Sequence, residues 1–216
     1  YSALVAAEVL SFADAVRLVE RRGQLMQQAV PEGQGAMAAI LGLGDEQIIE
    51  LCAAASQGQV VSAVNFNAPG QVVIAGETDA VARAIDACKD AGAKRAIALP
   101  VSVPSHCALM QPAAEQLSVD FAALQWQKPG ITLVQNVTAR PAADVADLRQ
   151  LLVEQLYSPV RWVESVIYMA EQGVTDLVEC GPGKVLGGLN KRCSKAVNNH
   201  SLDSVASFAA FSEQFA

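Results

Sequence analysis

Between residues 35 and 100 the hydrophobic pattern switches repeatedly between the period of a strand and the period of a helix, and that alternation leaves few folds open. The run AMAAILGL (36–43) reads as a strand and DEQIIELCAAAS (45–56) as a helix. Two further strands, VVSAVNF (60–66) and QVVIAG (71–76), are joined through the turn-forming residues Asn67, Ala68, Pro69 and Gly70. A second helix, TDAVARAIDACKDAG (78–92), and a last strand, KRAIALPV (94–101), complete the series. This β-α-β-β-α-β order is the ferredoxin-like arrangement. It predicts a small subdomain over 33–100, set into a larger α/β unit to which 1–32 and 101–216 belong.

The flanking segments also alternate. Ser11 followed by Asp14 caps a helix, FADAVRLVERRGQLMQQAV, that Pro31 ends. Phe12, Ala15, Val16, Leu18, Val19, Leu25, Met26 and Val30 share one helical face, whereas Arg17, Glu20, Arg21, Gln24 and Gln28 share the other. Arg22 breaks this pattern by falling in the middle of the apolar face, while Arg21 is expected to point to solvent. Upstream, YSALVAAEVLSF reads as a continuing helix with no N-cap before it, which predicts that the chain begins inside a larger protein. Beyond the small subdomain, residues 101–106 lead from the last strand towards a helix around PAAEQLSVDFAAL, followed by ITLVQNV (131–137) as a strand. Helices are expected at DVADLRQLLVEQLY and RWVESVIYMAEQG, around Pro159, then a strand at TDLVECGPG and a helix at KVLGGLNKRC. Strands and helices in this order predict an α/β layered architecture; the last twenty residues carry only a weak pattern.

Composition narrows the function classes. The chain has 216 residues, 52% of them hydrophobic and 17% charged, enough to bury a core. Its net charge of −7 argues against nucleic acid, whose phosphates require clustered Lys and Arg in excess. No apolar run approaches the roughly 18 to 20 residues of a membrane span, and no signal peptide is visible. Five scattered cysteines with no paired spacing point to reduced thiols in the cytoplasm. With only two histidines, His106 and His200, no metal site is expected.

Few residues stand out as chemical groups. His106 follows a Pro just past a strand end, where an imidazole can move protons; a turn histidine bonded to backbone fits that position equally. Arg22 on an apolar face needs an anionic partner, either a carboxylate of the protein or one borne by a substrate. Gln155, among the apolar residues Leu148, Leu151, Leu152 and Leu156, needs partners for its amide. Cys107 fits a core thiol better than a nucleophile, because adjacent residues rarely aim at one point. GPGKVL lacks the spacing of a phosphate loop and reads as a tight turn before a helix. Lys94-Arg95 and Lys191-Arg192 are small basic spots on an acidic protein, suited to solvent or to an acidic partner.

Taken in order, FADAVRLVERRG, AVPEGQGAMAAILGL, VNFNAPGQVVIAG, GAKRAIALPVSVPSHCALM, QLYSPVRW and GPGKVLGGL closely resemble the bacterial malonyl-CoA:acyl carrier protein transacylases of type II fatty-acid synthesis, from Tyr1 to about Arg192. The resemblance implies an α/β-hydrolase-like large subdomain carrying the ferredoxin-like one. It further implies a cytoplasmic enzyme, an S-malonyltransferase without cofactor or metal. Its partners would be malonyl-CoA and acyl carrier protein, neither nucleic acid nor membrane, and the complete form would be a monomer. By motif, His106 in VPSH would be the catalytic base, and Arg22 in E-x-R-G would bind the malonate carboxylate. Gln155 in QLY would orient the histidine through its backbone carbonyl, and Lys94, Arg95, Lys191 and Arg192 would meet the acidic carrier. In that family the nucleophile is a serine in G-H-S-x-G, directly before the segment matched by Tyr1, and a still earlier G-Q-G-x-Q supplies part of the oxyanion hole. Neither run occurs in these 216 residues, so the chain alone is expected to be inactive and its large sheet to lack its first strands. The alternatives are an acyltransferase domain of polyketide-synthase type and a non-catalytic module that binds acyl carrier protein.

Overall fold

The computed structural model describes residues 1–101 and 103–215; Ser102, within the stretch 101–106 read as leading from the last strand, and Ala216 lie outside the described residues. The chain opens with a short helix, α1 (Ser2–Ala6), not with a helix running through to residue 12. Glu8 takes a left-handed φ of +59°, and the Val9 and Glu8 amides donate back to Leu4 and Val5 carbonyls, which closes the helix end. That turn drops Val9 and Leu10 into the core.

α2 (Phe12–Ala29) starts where Ser11 accepts a hydrogen bond from the Asp14 amide at 3.1 Å. Ala15, Leu18, Leu25, Met26 and Val30 are buried, but Phe12, Val16 and Val19, assigned to the same face, are exposed, Phe12 by 73%. The apolar stripe of α2 is wider than its contact with the described residues, so its outer half lines an open groove with Tyr1 and Val5. Arg21 also departs from expectation: its Nε donates to Asp120 at 3.0 Å and is not simply solvated.

Next come β1 (Gly35–Leu41), α3 (Asp45–Ser56), β2 (Val61–Ala68), β3 (Gln71–Glu77), α4 (Thr78–Asp90) and β4 (Arg95–Ala98). The four strands form one antiparallel sheet in the order β2-β3-β1-β4, the ferredoxin-like topology expected from the element order. Successive side chains of a strand point to opposite faces. Ala38, Ile40, Val72 and Ile74 therefore pack with Ile48 of α3 and Val81 of α4, whereas Met37, Val64, Val73 and Ala75 form a second cluster with Cys107. Burial on both faces explains why β3 reads as an unbroken apolar run.

After a single 3₁₀ turn at Ala108–Met110 come α5 (Gln111–Ala122), α6 (Val145–Glu154) and α7 (Trp162–Glu171). Leu117 and Phe121 of α5, Leu148 and Leu152 of α6, and Leu156 just beyond it join Leu18, Leu25 and Met26 of α2 in the largest core. The strand expected at 131–137 is absent. Its backbone finds only one isolated bridge, Val134 to Pro141, and Gln135 instead bonds Arg140 across a turn, so no ladder forms. β5 (Asp176–Glu179), α8 (Val185–Cys193), β6 (Asn198–Ser201) and α9 (Val205–Phe215) end the chain. β5 and β6 pair in parallel as a two-stranded sheet, and β6 and α9 fill the stretch where the pattern was weak. Among the described residues no helix is long and apolar enough to cross a membrane.

Gly76 is the tightest point of the small sheet. A Cβ there would sit 2.0 Å from the Val60 carbonyl oxygen, which already accepts the Glu77 amide at 2.8 Å. Gly76→Ala must displace backbone, so it should destabilise the chain by about 1–3 kcal/mol, the scale of overpacking. Gly23→Ala, on the exposed side of α2 with nothing within 4 Å of its Cβ, should instead stabilise by about 0.5–1 kcal/mol. Urea unfolding of both variants measures the two effects.

Candidate active site

The segment from Val103 to Cys107 is locked by its own backbone. The Ser105 amide donates to the Val103 carbonyl at 2.9 Å, and the Cys107 thiol donates to the Pro104 carbonyl at 3.1 Å. Cys107 is buried against Met37, Val64, Val73 and Ala75, so the loop is seated on the face of the small sheet opposite its helices. Burial pushes this thiol up to about 11, which keeps it protonated and makes it core, not nucleophile.

His106, between this seat and the end of α6, has a φ of +67°. Left-handed backbone is uncommon outside glycine and costs on the order of 1 kcal/mol or more. Two hydrogen bonds hold it there: the His106 amide donates to Leu156 O at 2.9 Å, and Nδ1 lies 2.7 Å from Gln155 O. A carbonyl can only accept, so Nδ1 carries the proton and Nε2 presents a free lone pair. Gln155 is the C-cap of α6, where carbonyls lack helical partners and the helix dipole is negative. The imidazole thus fills a vacancy in α6, and the helix end favours any positive charge that the ring acquires. Burial nevertheless dominates and lowers the His106 pKa; the Gln155 bond opposes this and the Arg22 charge adds to it.

Arg22 rises from α2 into the same region. Its Nε is buried and makes no hydrogen bond. Its guanidinium carbon lies 6.0 Å from the centre of the Tyr1 ring, and the Tyr1 hydroxyl is likewise buried without a partner. Burial, opposed by the guanidinium, pushes that phenol up to about 12. The guanidinium, the phenol and the imidazole therefore form a cationic, donor-rich cluster with unmet hydrogen-bonding capacity. Gln155 joins them through its backbone carbonyl, while its side-chain Nε2 donates to Asn136 Oδ1 at 2.7 Å. Neither Tyr1 nor Asn136 was singled out by the sequence. Tyr1 offers no pattern beyond its aromaticity, and Asn136 lies inside the run ITLVQNV, which reads as a strand and makes it one polar position among others.

The four remaining basic residues lie elsewhere, at one end of the small sheet. Leu41 pairs with Gln71 on one side and Arg95 on the other, so these two positions are two strands apart, roughly 10 Å. Arg192 of α8 bonds the Gln71 side chain and, at 2.9 Å, the Pro69 carbonyl. Lys94 lies over Gly42. Two exposed basic pairs far apart in sequence are therefore brought to one end of the small sheet.

These features coincide with a known family, since the model for the acyl transferase domain matches residues 1–207. The chain belongs to the acyl transferase domain family. Among curated relatives, the malonyl CoA-acyl carrier protein transacylase of Haemophilus influenzae is 59% identical over 213 residues, covering 99% of this chain and 68% of the relative. The Escherichia coli K12 protein of the same name is 58% identical over 210 residues, covering 97% and 68%. Among solved structures, an acyl carrier protein S-malonyltransferase from Vibrio cholerae superposes with a TM-score of 0.94 at 57% identity, covering 96% of this chain and 68% of that one. A malonyl-transacylase solved with a type II polyketide-synthase acyl-carrier protein gives 0.96 at 53% identity, covering 98% and 68%. This acyl transferase domain thus has the fold of the transacylases, a mixed α/β architecture that carries the four-stranded sheet described above.

The lowered His106 pKa has a readable sign. The folded imidazole binds its proton more weakly than the unfolded one, whose ordinary value is 6.5. Its contribution to stability is therefore full above pH 6.5 and declines as pH falls below it. An NMR titration of the two imidazoles, assigned with His200→Gln, should place the His106 midpoint below 6.5; a midpoint above that value would contradict the dominance of burial.

Proposed function

We propose that this acyl transferase domain moves a malonyl group from coenzyme A to the phosphopantetheine thiol of acyl carrier protein, with His106 as base and Arg22 as the carboxylate clamp. The observation that carries the reading is the fixed tautomer of His106. Its Nδ1–H is held by Gln155 O at 2.7 Å, which leaves Nε2 as a base within the electrostatic reach of Arg22, whose buried Nε lacks a partner. The names of the close relatives support malonyl as the acyl group. A module that only bound the carrier would have no use for an imidazole held in strained backbone with its basic nitrogen free.

The chemistry follows from those positions. His106 Nε2 takes the proton of a serine hydroxyl as its oxygen attacks the malonyl thioester carbonyl. A C–O bond forms, the C–S bond breaks, and the imidazolium returns the proton to the departing coenzyme A thiolate. The second half-reaction runs the same steps in reverse, with the carrier's thiol attacking the acyl-serine. During each proton transfer the end of α6 offsets part of the charge on the ring. The sequence contains no G-H-S-x-G run, so in this reading the serine lies on a segment outside these 216 residues. The unpaired cysteines fit the reducing cytoplasm as the place of action.

Arg22 sets the acyl group. A malonyl thioester brings a free carboxylate that a guanidinium receives through two parallel hydrogen bonds, which Lys cannot reproduce. With the G-H-S-x-G segment joined ahead of Tyr1, Arg22→Ala should cost about 2–5 kcal/mol in malonyl transfer and spare acetyl transfer. Malonyl-CoA and acetyl-CoA assayed side by side decide it: equal losses would make Arg22 a structural ion-pair residue. The same 216 residues without that segment should show no malonyl adduct on Cys107 by intact mass.

The basic edge is read as the carrier's docking point, because acyl carrier proteins are acidic and the domain as a whole carries −7. Reversing Lys94, Arg95 and Lys191 to Glu should raise KM for the carrier, less so at high salt, and leave loading from malonyl-CoA unchanged. Unchanged kinetics for the carrier would remove this edge from the interface. Arg192 is kept in that test because it also ties α8 to the β2–β3 turn.

A further inference from the structure

We propose that Asn136 is a positioning residue for His106, acting through Gln155 and coupling the imidazole to the edge strand of the small sheet. This rests on the reading of His106 as the base. A run of hydrogen bonds connects the two. Val160 is pinned to β2, donating to Val64 O at 2.8 Å and accepting from the Phe66 amide at 2.9 Å. The next residue, Arg161, donates its amide to Asn136 O at 3.0 Å. Asn136 Oδ1 accepts Gln155 Nε2 at 2.7 Å, and Gln155 O accepts His106 Nδ1 at 2.7 Å.

Each link is needed for a physical reason. Gln155 closes α6, so its carbonyl is not fixed by a helical hydrogen bond and its peptide is free to tilt. Tying down its side chain restrains the residue that carries the carbonyl. Asn136 can serve as the anchor because its own loop is closed twice, Gln135 N to Arg140 O at 3.0 Å and Ala139 N to Gln135 O at 2.9 Å. The small sheet meets His106 by a second route, since Cys107 is packed on the sheet face. The base is therefore gripped from both sides by one element: Cys107 below, and the path through Val160, Asn136 and Gln155 at Nδ1. Asn136 acts on the imidazole through Gln155 and not by a hydrogen bond of its own, which makes it a positioning residue.

The test reads the imidazole itself. In the 216-residue chain, ¹⁵N shifts of His106 should report Nδ1–H and bare Nε2, and Asn136→Ala should mix the two tautomers. With the serine segment joined, the same variant should lose about tenfold in kcat for acylation with KM for malonyl-CoA unchanged, the scale for removing a partner that orients a functional imidazole. Asn136→Asp keeps an acceptor and should keep the tautomer, while its negative charge raises the His106 titration midpoint. Unchanged ¹⁵N shifts in Asn136→Ala overturn the proposal, whatever happens to melting temperature. If that variant does not fold, an unmoved midpoint in Asn136→Asp overturns it. The base assignment is judged separately, by the acylation rate of His106→Ala, so the two failures are distinguishable.

Discussion

The contact between His106 and the C-terminal end of α6 organises everything else around it. A helix leaves its last carbonyls without partners, and here that of the C-cap, Gln155 O, and that of the next residue, Leu156 O, are taken by the ring and the amide of a single residue. The strained φ of His106 is what allows one residue to reach both. In return the ring loses its tautomeric freedom. The position of α6 is fixed by the core it shares with α2 and α5, through Leu148, Leu152, Leu156, Leu18, Leu25 and Leu117. Arg22 stands on that same α2, so one hydrophobic core sets the spacing between the guanidinium and the acceptor of the base. A change in how α2 packs on α6 moves both groups together.

The small sheet was legible in the sequence because its signals are local. Short apolar runs, a turn at Pro69-Gly70 whose preceding strand ends two residues later than the pattern suggests, and two amphipathic helices each state their own geometry. Arg22 was legible for the opposite reason, as a charge that breaks a local pattern. What failed were statements about partners. Periodicity assigned Phe12, Val16 and Val19 to an apolar face but could not say that the described residues cover only part of it. ITLVQNV has the composition of a strand, yet a strand exists only with a neighbour to bond, and this backbone turns back on itself at Gln135. The residue pattern marked Gln155 for its side chain, and only the family resemblance named the backbone carbonyl that meets His106, because every residue has one. Asn136 was invisible because its meaning depends on three segments meeting in space.

The positive groups divide by burial, and the division fits two kinds of work. Lys94, Arg95, Lys191 and Arg192 are exposed, so salt screens them beyond about 10 Å; they can guide an acidic partner but discriminate weakly between small anions. Arg22 has an Nε that neither protein nor exposure satisfies, so a carboxylate arriving there gains what the site lacks. Its nearness to His106 adds a consequence. Burial depresses the imidazole pKa, and the guanidinium charge adds to it. A carboxylate held at Arg22 offsets that charge at the ring, and the imidazole then becomes a stronger base than in the empty site. An acyl group without a carboxylate leaves the depression in place. In the function proposed above, discrimination between malonyl and uncharged acyl groups would thus reach the base as well as the clamp, because both would answer to the same guanidinium.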